Sequence, residues 1–158
     1  MGTASEDTLA VRAVRVEMDV EIEGTMPRVW KALVEEMGTW WPASFYAGKA
    51  KAFVLEPRVG GRMYEDWGGG GGLLWYTVVS LDPPRTLELA GHLFPAYGGP
   101  ATTLVRIELS ERDGKTLLRL TDAIHGHLAT DTDAKLDTGW KEIFAKAFKS
   151  YVEQRAKE

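Results

Sequence analysis

Trp140-Lys141-Glu142-Ile143-Phe144-Ala145-Lys146-Ala147-Phe148-Lys149-Ser150-Tyr151-Val152 sets its apolar side chains at Trp140, Ile143, Phe144, Ala147, Phe148, Tyr151 and Val152. These positions trace one stripe of a helix with about 3.6 residues per turn. Lys141, Glu142, Lys146, Lys149 and Glu153 fall on the opposite side, and Glu142 and Lys146 have the i,i+4 spacing that supports a helix. The pattern predicts a helix over 133–156, about 35 Å long at 1.5 Å per residue. Its aromatic side must rest on something apolar, and nearly all of the preceding chain reads as β-strand.

Val14, Val16, Met18, Val20 and Ile22 alternate with Arg15, Glu17, Asp19, Glu21 and Glu23, as in a strand with one buried and one wet face. Thr25 is placed to cap a short helix, with Pro27 in its first turn and Gly38 expected to stop it. Trp40-Trp41-Pro42 then reads as a tight turn. Six further strands are predicted at 52–56, 62–67, 73–81, 86–91, 103–109 and 116–124, the last two joined through Asp113-Gly114. Their short connections favour antiparallel pairing, because parallel neighbours need long crossovers. Val105, Ile107, Leu109, Leu118 and Leu120 form the expected inner face. Strand 73–81 is apolar on both sides, so its orientation stays open. The fold class is α+β: a seven-stranded antiparallel sheet wrapped around a long C-terminal helix, with short helices after the first strand. Residues 13–158 read as a single domain and residues 1–12 as a flexible N-terminal arm.

Composition narrows the partners. The chain has 158 residues, 44% hydrophobic and 27% charged, with a net charge of −4, which suits one globular domain with a proper core. No Lys/Arg cluster accompanies that charge, which argues against nucleic acid and anionic membrane as partners. Cysteine is absent, so neither disulfides nor thiol chemistry arise. Met1 to Ala10 has neither a basic nor an apolar targeting segment, and no window is apolar enough to span a bilayer. A cytoplasmic location is the expectation.

Four local signatures coincide along the chain. Pro27-Arg28-Val29-Trp30-Lys31-Ala32-Leu33 resembles the opening of the first helix in the START-like, helix-grip superfamily. Glu56-Pro57-Arg58-Val59-Gly60-Gly61-Arg62 is similar to its strand lead-in, and Leu81-Asp82-Pro83-Pro84-Arg85-Thr86-Leu87 to its Asp-Pro-Pro turn. Gly139-Trp140 resembles the start of its C-terminal helix. Together, over about residues 13–153, they resemble the branch called activator of heat-shock-protein ATPase homologue-like (AHSA-like), within the polyketide-cyclase and lipid-transport (SRPBCC) superfamily. The resemblance implies a fold that hosts sterol and lipid carriers, hormone receptors and aromatic cyclases. The eukaryotic namesake adds a separate chaperone-binding domain, which these 158 residues do not contain. The matching motifs are structural, so no catalytic residue carries over.

The residues themselves offer three functional readings. The first is non-covalent binding of a small hydrophobic or aromatic molecule between sheet and helix, in a pocket of roughly 300–1,000 Å³. Trp41, Phe45, Trp67, Trp75, Phe94, Trp140 and Phe144 are its candidate ligand-binding residues. The second is a small enzyme of cyclase, lyase or hydrolase type using the same pocket. Its candidate catalytic residues are Glu65, whose pKa a hydrophobic pocket would raise, and His125, because imidazole is a common general acid or base. The third is a protein-interaction module in the style of the chaperone activator, using the 92–101 loop, which also reads as a lid, and the outer face of the sheet, with a chaperone contact or a homodimer as the partner.

Two patterns invite over-reading. His125-Gly126-His127 could begin a metal site, but no recognised zinc spacing completes it. Gly68 to Gly72 lacks the Gly-Lys-Ser/Thr ending and following helix of a phosphate cradle, and reads instead as a mobile hairpin tip. Neither a metal nor a cofactor is expected.

Overall fold

A computed structural model describes residues 2–155. Residues 2–11 carry no regular secondary structure, and Arg12 already belongs to the first strand. Met1, in the predicted arm, and the predicted helix end at 156 lie outside the described residues.

Seven strands form one antiparallel sheet: β1 (Arg12–Ile22), β2 (Ala52–Leu55), β3 (Arg62–Gly68), β4 (Gly71–Asp82), β5 (Thr86–Leu93), β6 (Ala101–Arg112) and β7 (Lys115–Gly126). Their order is β1-β7-β6-β5-β4-β3-β2. The last six thus follow one another as a meander, and β1 closes against β7 with Val16 opposite Asp122 and Val20 opposite Leu118. Between β1 and β2 lie helix α1 (Met26–Glu35), the short α2 (Met37–Trp40) and a 3-10 turn (Ala43–Phe45). The C-terminal helix runs through Thr132–Trp140, Lys141–Phe148 and Lys149–Arg155. This is the architecture expected from the sequence.

Local chemistry explains most boundaries. The Thr25 side chain accepts from the Arg28 amide at 3.3 Å, and Pro27 occupies the first helical turn. Gly38 does not stop the helix as expected. The chain continues into α2, and a Cβ at Gly38 would lie 2.5 Å from the Phe53 carbonyl oxygen. Glycine is needed there so that β2 can approach. At the β3–β4 tip only Gly69 and Gly70 form the turn, both at positive φ, as a two-residue hairpin demands.

The C-terminal helix departs from a uniform period. Its middle segment, Lys141–Phe148, is π-helical. In an α-helix each four-residue step drifts about 40° around the axis, whereas wider turns cancel that drift. Trp140, Phe144, Phe148 and Val152, four residues apart, are accordingly all buried, together with Ile143. Ala147 and Tyr151, placed on the stripe by a strict 3.6 period, are only half-buried. Beneath the row lie Ile22, Leu33, Ile107, Leu118 and Leu120, all sealed from solvent. Phe148 packs against Trp40 and Phe144 at ring-centroid distances of 4.6 and 5.7 Å. No helix among the described residues is long and apolar enough to cross a membrane.

Candidate functional site

The orientation of β4 is set by irregular register. Met63 faces Tyr76 and Tyr64 faces Leu74, which leaves Trp75 as an extra residue in a bulge. A bulge turns two consecutive side chains to the same side, so Trp75 and Tyr76 both reach the inner face. Gly91, opposite Tyr76 on β5, makes room for its ring, because a Cβ there would lie 2.7 Å from the Tyr76 Cδ1.

These two rings form the floor of a cavity of about 170 Å³ under the first half of the C-terminal helix. Trp140, Ile143 and Gly139 roof it, and Trp41, Phe45 and Leu93 enclose the sides. The walls are almost wholly apolar. The volume lies below the roughly 300–1,000 Å³ expected from the number of aromatic residues, because many of those rings pack against one another instead. Trp41 stacks on Phe53 with centroids 4.6 Å apart and planes 8° apart, and Tyr46 stacks on the same Phe53 at 5.9 Å.

Of the seven residues expected at the ligand, Trp41, Phe45, Trp75 and Trp140 line the cavity, while the other three lie elsewhere. Phe144 is sealed in the core between Trp40, Trp140 and Phe148. Trp67 stands at a second register shift near the glycine tip and is partly exposed, its ring against Gly48. Phe94 is 58% exposed beyond the end of β5. From the 92–101 loop only Leu93 lines the cavity; Tyr97 approaches the Trp75 ring at 6.4 Å.

Glu65 is fully buried, and its carboxylate is saturated with donors. It accepts from the amides of Ala47 (2.8 Å) and Gly48 (3.1 Å) and from the indole N–H groups of Trp67 (3.0 Å) and Trp75 (2.7 Å). Burial pushes its pKa up, but these four hydrogen bonds together hold it below the ordinary glutamate value. The expectation of a raised pKa is therefore corrected. Glu65 fastens the 46–50 segment and the Trp75 wall to the sheet.

A second buried carboxylate lies behind the roof. Asp122 accepts from Thr103 Oγ1 at 2.5 Å and from Trp140 Nε1 at 2.9 Å. Burial raises its pKa against the opposing pull of those two bonds. Tyr76 interacts with Thr103 and with the Asp122 charge, and burial followed by that charge raises its hydroxyl pKa well above the usual range. Asp122 and Thr103 were not among the expected site residues, yet they fall in phase with the inward positions Leu118, Leu120 and Ile124 and Val105, Ile107 and Leu109. A polar residue in an otherwise apolar inward register was the signal.

His125 pairs with Ala13 and Thr102 and is exposed on the outer face of the sheet, so it does not reach the cavity. Strand alternation places it opposite to Ile124, which faces the core. His127 Nδ1 lies 3.0 Å from the Ala10 carbonyl oxygen. Among the described residues no three His, Asp or Glu side chains gather as a metal site would require. The depressions beside His125 and beside the glycine tip are open surface grooves.

A curved antiparallel sheet closed over a long helix, with a ring-lined hollow at one end, places the molecule among helix-grip proteins of the SRPBCC type. The chain belongs to the family described as Activator of Hsp90 ATPase homolog 1-like protein, whose sequence profile matches residues 24–153. No curated protein matches it. Among solved structures, an uncharacterized protein from Rhizobium leguminosarum superposes with a TM-score of 0.70 at 15% identity, covering 94% of this chain and 99% of that one. CalU16 from Micromonospora echinospora gives 0.61 at 20%, covering 95% and 84%. The Aha1 dimer from Colwellia psychrerythraea gives 0.58 at 23%, covering 89% and 96%. At these identities the likeness is one of fold.

Proposed function

We propose that this protein binds a small hydrophobic or aromatic molecule in the cavity between the sheet and the C-terminal helix. The observation that carries the reading is the half-open, apolar hollow of about 170 Å³ walled by Trp41, Phe45, Trp75, Tyr76 and Trp140. An apolar cavity of roughly 150 Å³ is large enough to hold benzene, so the guest has the size of a single ring or a short branched chain. Its affinity comes from apolar burial at about 25 cal/mol per Å².

The acid–base alternative draws no support from its two candidates. Every oxygen of Glu65 is occupied by N–H donors, and His125 lies across the sheet from the cavity.

A thermal-shift and tryptophan-fluorescence screen of single-ring compounds tests the proposal. The expected result is saturable binding that raises the melting temperature and is lost in Gly139→Leu, which fills the hollow from the helix side. Failure of every such compound to bind would overturn it, as would binding that Gly139→Leu leaves unchanged.

A further inference from the structure

The side chains of Trp41, Phe45, Trp75, Tyr76 and Trp140 give the hollow an aromatic wall whose polar edges are already committed. Trp75 Nε1 donates to Glu65 at 2.7 Å and Trp140 Nε1 to Asp122 at 2.9 Å. The Trp41 Nε1 is sealed from solvent, and Thr103 engages the Tyr76 hydroxyl. These rings therefore offer a guest carbon and π-electrons, and no free hydrogen-bonding group. Aromatic rings carry a negative face that attracts cations, the more so away from water. Behind one of them stands a charge. Glu65 is held ionised by four uncharged N–H donors, and its carboxylate is a single hydrogen bond from the Trp75 indole. An N–H bound to a carboxylate polarises its ring and passes electron density into it. Asp122 does the same to Trp140 in its ionised form. The cationic side chain at the rim, Lys135, is 75% exposed and paired with Asp131 at 3.1 Å.

We infer, resting on the binding reading above, that the hollow is an aromatic cage for the quaternary ammonium head of a small organic cation. Such a head is about as bulky as a benzene ring, which a cavity of roughly 150 Å³ accepts. Its methyl groups meet the apolar walls, while its spread charge meets the rings and the field of Glu65. It has no N–H to satisfy. A primary ammonium carries three donors, for which the five ring side chains hold no free acceptor. An anion would be buried without a counter-charge and close to Glu65 and Asp122, both of which are unfavourable. The open side leaves the rest of the guest in water.

Ligands of matched shape separate charge from burial: choline, its neutral carbon analogue 3,3-dimethylbutan-1-ol, the anion 3,3-dimethylbutanoate, and ethanolamine as the primary ammonium. Each is titrated into the unmodified protein by tryptophan fluorescence and calorimetry. Choline should bind tightest and the neutral alcohol about tenfold more weakly, with ethanolamine weaker still and the anion weakest. The order should persist in about 0.5 M NaCl, which would screen a mere attraction to the acidic surface. Gly139→Leu, which fills the hollow, should abolish choline binding; the order in the unmodified protein stands as a test even if that variant fails to fold. The alcohol, ethanolamine or the anion binding as well as choline would overturn the inference and leave the cavity reading intact. So would choline binding that is lost in salt or survives Gly139→Leu, or no choline binding where single-ring compounds do bind. Failure of all four ligands and of every single-ring compound would overturn both.

Discussion

The two halves of the C-terminal helix cover the same sheet in opposite ways. From Phe144 to Val152 the helix buries Phe144, Phe148 and Val152 in one core with Ile22, Leu33 and Trp40, whose ring meets both phenylalanines. From Lys135 to Ile143 it roofs a hollow. The difference comes from side-chain size and tethering. The packed half presents rings every four residues along its π-helical turns. The open half presents Gly139, while the floor ring of Trp75 is tethered by Glu65 and the roof ring of Trp140 by Asp122. A void persists where carboxylates hold its walls apart.

That contrast can be broken from either side. Phe148→Ala, in the filled half, should cost about 3–5 kcal/mol in urea unfolding, since a sealed ring leaves a cavity that its neighbours cannot close. Glu65→Gln should cost about 2–3 kcal/mol, because an amide cannot accept from all four N–H groups and its own NH2 would face donors. It should also loosen the Trp75 wall, visible as a shift in tryptophan emission.

The carboxylates also predict a pH signature. Glu65 holds its proton less tightly folded than unfolded, so its contribution is full above the unfolded glutamate pKa and drains away as pH falls through the lower folded value. Asp122 holds its proton more tightly folded than unfolded. Its contribution is full below the unfolded aspartate pKa and is lost as pH rises through the raised folded value. Urea midpoints measured across the acidic and neutral range should therefore show Glu65→Gln removing part of the acid-side loss. Asp122→Asn should remove a loss on the neutral side. Parallel profiles for both variants and the parent would refute this assignment.

Gly139→Ala should have the smallest effect and the opposite sign, a gain of about 0.5–1 kcal/mol. Its new Cβ would meet only Phe45 Cε1, at an ordinary 3.5 Å. A loss of stability at this position would mean that the open half is more tightly packed than the cavity implies.

The sheet, its connections and the final helix were legible from the sequence because each rests on local pattern: alternation in β1, the Thr25 cap, the Asp113-Gly114 hairpin, the apolar stripe from Trp140. Four cavity residues were legible too, since Trp41, Phe45, Trp75 and Trp140 stand at the seam between sheet and helix. The remainder depended on features that leave no periodic trace. Bulges placed Trp75 inward and Trp67 near the tip, and π-helical turns buried Phe144 with its row. Glu65 read as an inward carboxylate, but two of the four donors that set its proton affinity are the amides of Ala47 and Gly48, nearly twenty positions earlier in the chain. His125 and Asp122 show the cost of an unread register: on one strand, the outward residue drew attention and the inward one carried the network.

β4 has a consequence beyond the cavity. Against β3 it gains an unmatched residue at Trp75, and against β5 another at Val79. Each insertion inverts the parity of every later side chain, and two together restore it, so Leu81 turns inward opposite Leu87. Excising Val79 alone would send the Leu81 end of the strand to the wrong face, whereas excising both unmatched residues would preserve the frame. These two irregularities are therefore bound to be inherited or lost as a pair.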